Sequence, residues 1–192
     1  MADRLNVSYW LRGFGPLTML REYEKMLRLF PFSKLRRADS TFRIYVLEHV
    51  EPPMMEIPVG APINVDGVIA AAKEFENTDA CYELETSWDL WTLEEEWKLG
   101  PSRVLLTCFG PDFANEGGEH LRIDFGLDRQ FLPEPGDVEG ARIIKENIQS
   151  LLRLVHDLDD KLKVERRQLW SESGENFALR LQASLQGFSE AE

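Results

Sequence analysis

Two cysteines in 192 residues, Cys81 and Cys108, are too few for a disulfide framework. Residues 1–6 hold no apolar stretch of the kind a secretory signal carries, so a reducing cytoplasm is the expected compartment. Long hydrophobic runs are missing too. The longest wholly apolar stretches, such as residues 68–72, have five residues, against the roughly 20 needed to cross a bilayer, so no membrane span is expected.

Catalytic and nucleotide motifs are equally scarce. There is no Gly-x-Ser-x-Gly and no Gly-Lys-Ser/Thr phosphate loop, and neither cysteine sits in a local catalytic sequence. Both cysteines fall in predicted strands, where a buried, unreactive thiol is the reading. Gly13, Phe14 and Gly15 lie between a predicted strand and a helix, where backbone amides can hold a phosphate. Thr18, however, occupies the third glycine position of a dinucleotide fingerprint, and no acidic residue follows at the required distance on a buried strand. A plain turn results, and no cofactor is implied.

Cations are in deficit. The net charge of −12 divides into +4 over residues 1–50, −10 over 51–100, −4 over 101–150 and −2 over 151–192. Such a chain repels phosphate backbones, which makes nucleic acid an unlikely partner. The basic cluster Arg28, Lys34, Arg36 and Arg37 has no interleaved aromatic footprint and reads as the complement of a helix C-terminus.

What the chain does contain is enough apolar residue, 43% against 29% charged, to fill one core. A single domain over 1–192 is expected. Residues 5–12 alternate as a half-buried strand, and Pro16 opens a helix to about residue 30 with Leu17, Leu20, Met26, Leu27 and Phe30 as its stripe. Residues 41–50 are apolar on both parities, as in a central strand covered on both faces. Four prolines in 51–62 leave at most a ragged edge strand around 54–57. Asn64 or Asp66 caps a helix with the stripe Val65, Val68, Ile69, Ala72 and Phe75.

Residues 81–91 place Tyr82, Leu84, Trp88 and Leu90 on one side and Glu83, Glu85, Ser87 and Asp89 on the other. Strands at 103–109 and 120–125 follow, joined by a Gly- and Pro-containing loop. A long helix from about 138 to 168 carries the seam Ile144, Ile148, Leu151, Val155, Leu158 and Leu162, widened by Leu152. A short final helix has Phe177, Leu181, Leu185 and Phe188, with Gly187 as its stop.

This order predicts an α+β fold with an antiparallel or mixed sheet. It matches a ferredoxin-like split βαβ unit extended by a hairpin, provided the Pro-rich strand pairs. The α+β core would span 1–132, with a C-terminal helical pair at 137–188 packed on it.

Three clusters carry candidate chemistry. His156 and Asp160 stand at helical i, i+4 spacing, but their register puts them on a solvated face with too few ligands, so no metal is expected. His49 ends a strand between Glu48 and Glu51, and His120 shares its parity with Arg122 and Asp124. If Glu83, Glu85 and Asp89 face the same side, one polar sheet surface results. His120, Asp124, Glu83 and Glu85 would then be its acid–base candidates, weighed against simple cross-strand ion pairing. The third cluster is the acidic tryptophan strip, where Trp91, Glu94, Glu95, Glu96 and Trp97 are candidates for contact with a basic partner.

The leading expectation is a non-catalytic protein-interaction module that binds a basic protein or associates with itself. The alternative is a small-molecule-binding domain or enzyme using the polar sheet face. What separates the two is whether that face is concave or flat.

Overall fold

Alternation near the start of the chain produces a strand with one wholly apolar side. In the computed structural model, which describes residues 3–49, 52–132, 137–171 and 177–182, β1 (Arg4–Leu11) buries Leu5, Val7, Tyr9 and Leu11. The turn after it is closed by Thr18, whose hydroxyl accepts from the Gly15 amide at 3.0 Å and donates to the Gly13 carbonyl at 3.0 Å. That closure delays the helix. α1 runs over Met19–Leu29 and buries Met19, Leu20, Tyr23, Met26 and Leu27, whereas Leu17, assigned to the stripe from sequence, precedes the helix and is 96% exposed.

β2 (Ser40–Val46) buries Phe42 and Ile44 on one side, while Thr41, Arg43 and Tyr45 are half-buried on the other. It therefore lacks the two-sided cover expected of it, and it stands second from an edge. The Pro-rich segment supplies that edge as β3 (Met55–Val59), where Pro58 is tolerated because one side of the strand is free. α2 (Val65–Glu74) is capped by Asn64, whose side chain accepts from the Gly67 amide. β4 (Ala80–Leu93) and β5 (Trp97–Phe109) form a long hairpin, and β6 (Leu121–Leu127) follows the loop over 110–120.

α3 (Val138–Lys161) buries Ile144, Ile148, Leu151, Leu154, Val155 and Leu158 along its seam, and Leu152 is exposed. The helix ends earlier than its sequence pattern implied. Residues Val164–Ser171 form β7, antiparallel to β1, so 137–188 is not a helical pair. The reason is local. After Leu162 the apolar residues stop stepping by three and four, and the open edge of β1 offers backbone partners, beginning with the Arg12 amide on the Lys163 carbonyl at 2.8 Å. A helical stretch over 177–182 buries Phe177. Leu185, Gly187 and Phe188 lie outside the described residues.

All strand neighbours are antiparallel, in the order β3-β2-β4-β5-β6-β1-β7. The fold is α+β, but its order departs from the ferredoxin-like arrangement. One strand separates β3 from β4 as a split unit requires, whereas three separate β1 from β2. β6 pairs with both β5 and β1, which pushes β1 outward to the far half of the sheet. The helices share one face with the core, where the Tyr23 hydroxyl donates to the Leu106 carbonyl at 2.9 Å. Among the described residues no helix is long and apolar enough to cross a membrane.

Candidate functional site

The sheet face away from α1, α2 and α3 can be followed as transverse rows, because successive strands pair in register. One row holds Glu56, Arg43, Glu83, Thr107, Arg122, Ser8 and Gln168, one residue from each strand. Opposite charges alternate over its first half, and beyond them two small hydroxyl residues, Thr107 and Ser8, flank Arg122. In the adjacent row Tyr45 pairs with Cys81 and Cys81 with Phe109, while Trp10 pairs with Arg166 across β1 and β7. Small residues between large ones make the face concave.

Ser8 is 1% exposed, and a cavity of about 850 Å³ opens over it. Trp10, Trp170 and Phe109 are its aromatic walls, and Arg122, Arg166, His49 and Gln168 supply polar groups. The segment 114–119 overhangs it, with Glu48 at the rim. Several contacts fix these walls. Trp170 Nε1 donates to Ser8 Oγ at 3.0 Å, and Trp10 Nε1 donates to the Gly117 carbonyl at 3.2 Å. Arg122 lies over Phe109 at 4.9 Å and donates to buried Glu119 at 3.3 Å. Arg166 lies over Trp10 at 4.2 Å.

Two backbone features hold the overhang. Leu47 has φ +70, a left-handed conformation that is costly for a bulky side chain, and its carbonyl accepts from the Ala114 amide at 2.9 Å. This twist carries Glu48 and His49 to the cavity. Gly110 begins the loop where a Cβ would meet the Thr78 carbonyl oxygen at 2.3 Å, so only glycine fits.

His49 meets the sheet through its ring. Nε2 is 3.3 Å from Cys81 Sγ and 4.0 Å from Glu83 Oε2, and Tyr45, Phe109 and Phe113 pack edge-on around it. Burial, then the Arg122 charge, pushes the His49 pKa down. Burial pushes the Glu83 carboxyl up, against the pull of Arg43. Both shifts favour the neutral forms of His49 and Glu83, as burial does for any ionisable group. Burial also raises the Cys81 thiol well above its usual range, which makes it a poor nucleophile.

The residues singled out from sequence divide between this site and elsewhere. Glu83, Glu85 and Asp124 lie on the uncovered face, as their parity implied. Glu83 is buried beside His49, whereas Glu85 is held by Arg43 and Arg103, whose hydrogen bonds bring its pKa down to about 2. Asp124 accepts from the Gly126 amide and pairs with Arg4 at 2.5 Å. His120 does not line the cavity. Its Nδ1 accepts from the Leu11 amide at 2.8 Å, and its ring stacks on Phe14 at 4.2 Å.

In the tryptophan strip, Trp91 Nε1 donates to Glu146 of α3 and Trp97 packs against the core, while Glu94, Glu95 and Glu96 form the exposed hairpin turn. His156 and Asp160 stand 3.7 Å apart on the exposed side of α3. Among the described residues no group of three His, Cys, Asp or Glu is placed to hold a metal ion. Arg28, from the basic cluster, pairs with Glu24 and Asp66.

The walls contributed by Trp10, Arg166 and Trp170 were not singled out from sequence. A signal existed for Trp10, a tryptophan on the polar parity of an alternating strand. None existed for Arg166, which read as the end of a helix, or for Trp170, which fell just after it. Comparison of the chain with protein-family models, with curated proteins and with solved structures finds no match.

Proposed function

We propose that the protein binds a small organic molecule in the cavity on the uncovered face of its sheet. The observation that carries this reading is concavity. Ser8 forms a buried floor beneath aromatic walls and converging polar groups, and about 850 Å³ falls within the roughly 300 to 1,000 Å³ typical of ligand pockets. Backbone strain at Leu47 supports it, since such conformations cluster at functional sites. Binding is favoured over catalysis here because Glu85 and Asp124 are committed to ion pairs and burial pushes the Cys81 thiol up.

A thermal-shift screen of small organic acids, amines, alcohols and sugars tests this, with quenching of tryptophan emission as the second readout. Compounds that bind the cavity are expected to raise the melting temperature of the native protein. They should lose that effect on Ser8→Phe, whose ring fills the floor. Compounds that stabilise both proteins equally bind elsewhere, and a screen yielding only those removes the cavity from consideration.

A second reading, contact with a basic partner or with another copy, is favoured by Leu93 and Leu99, which are 49% and 41% exposed beside the glutamate turn. Trp91 and Trp97 would form its inner margin and Glu94, Glu95 and Glu96 its charged rim. Sedimentation of native protein and Leu99→Asp tests self-association: a concentration-dependent mass lost on substitution supports it, and a monomer throughout eliminates it.

A further inference from the structure

The arginines of the uncovered face are not equivalent. Arg4 pairs with Asp124, Arg43 with Glu56 and Glu85, Arg103 with Glu85, and Arg122 with Glu119. Arg166 has no carboxylate partner among the described residues; its only hydrogen-bond partner among them is Gln168 Oε1, at 2.9 Å. The next residue, Arg167, points to the other face and is paired with Asp159. A guanidinium at a cavity wall with no carboxylate partner among the described residues, in a chain of net charge −12, is therefore a local exception to the surrounding charge balance.

Its placement is specific as well. The guanidinium lies 4.2 Å over the Trp10 ring, so one face is covered while its N–H edge stays available. A planar fork held in this way suits the two oxygens of a carboxylate or phosphate. Across β1, Arg122 is laid on Phe109 in the same manner and adds a second, partly neutralised cation to the same cavity. Trp170, pinned by its bond to Ser8 Oγ, offers a flat wall. Three carboxylates also line the cavity: Glu119 is paired with Arg122, while Glu48 and Glu116 are exposed to water as Arg166 is, and neither is paired with it.

We infer that the cavity takes an organic oxyanion, a carboxylate or phosphate ester borne on a flat ring, with its oxygens on Arg166 and its ring along Trp170. This rests on the cavity being a ligand site. The ligand supplies the carboxylate-like partner that Arg166 does not have among the described residues, and the ring supplies apolar area that a free inorganic anion lacks.

Calorimetric titration with 2-naphthoate, 2-naphthyl phosphate and neutral 2-naphthamide tests the inference. At least one anion is expected to bind about tenfold more tightly than the amide, the scale of one charge-assisted contact. Arg166→Gln should erase that preference, and Arg167→Gln, on the opposite face, should keep it. The stronger of the two anions identifies carboxylate or phosphate as the source. Equal binding of anions and amide, lost on Ser8→Phe, would overturn the oxyanion inference and leave the cavity reading standing. Absence of binding by all three probes, or a preference that survives Arg166→Gln, would overturn the inference outright.

Discussion

Asn147 of α3 takes the place of a strand beside Trp91. Its Oδ1 accepts from the Trp91 amide at 2.9 Å, and its Nδ2 donates to the Trp91 carbonyl at 2.8 Å. The same Nδ2 donates to the Gln130 carbonyl at 2.8 Å. A side-chain amide offers, without charge, a donor and an acceptor in the spacing of a peptide unit. It closes the edge of β4 beyond the reach of β2, where an open ladder would invite pairing with another chain.

Asn147→Leu should therefore destabilise the protein by roughly 1 to 3 kcal/mol, since it leaves half-buried backbone groups of Trp91 and Gln130 without this partner. Urea denaturation measures the loss. A change under about 0.5 kcal/mol would mean that water replaces the amide at no cost.

Leu151 and Leu152 are neighbours in sequence with opposite environments, 0% and 52% exposed. Leu151→Ala is expected to cost about 2 to 5 kcal/mol, and Leu152→Ala no more than about 0.5 kcal/mol. Denaturant midpoints of the two variants decide it, and similar losses would misplace the seam of α3.

Glu85 gives a pH signature. Hydrogen bonds from Arg103 and Arg43 bring its pKa from the ordinary 4.5 down to about 2 in the folded chain. A depressed carboxylate contributes stability above its unfolded pKa and loses it as pH falls toward the folded value. Between pH 4.5 and about 2, the native protein should lose more stability than Glu85→Gln. Thermal melts across that interval test the sign, and parallel curves would show that the ion pairs contribute nothing.

Leu47 pays for its left-handed backbone with little burial, being 61% exposed at φ +70. Leu47→Gly should be neutral or stabilising by up to about 1 kcal/mol, while the β-branched Leu47→Val should destabilise. Melting temperatures in the opposite order would show that the leucine side chain, and not the backbone, holds the segment.

Legibility in the sequence followed locality. Alternation in 81–91 correctly set Tyr82 and Leu84 against Glu83 and Glu85, because a strand's faces depend only on its own parity. The stripe of α3 was readable for the same reason. β7 was not, since Val164–Ser171 is a strand chiefly because β1 offers it an edge, and that offer comes from the other end of the sequence. The site shows the same division. Parity placed Glu83 and Arg122 on one face, but their partners depended on strand order. His120 has the right parity and is nevertheless drawn to Phe14 at the end of its strand. Ser8 and Trp170 meet across 162 residues, a separation that no local pattern reports.

The outermost strand β7 supplies Arg166, Gln168 and Trp170 to a cavity whose floor belongs to β1. Edge strands are among the elements that open most readily, so the cavity sits at the seam where opening of the sheet would start. A molecule bound there, as proposed, would span that seam and act as a clasp. Occupancy should slow amide exchange along β7 and β1 while exchange at the centre of the β4–β5 ladder keeps its pace, and the protein would register its ligand as a tighter margin of the sheet without any change in shape.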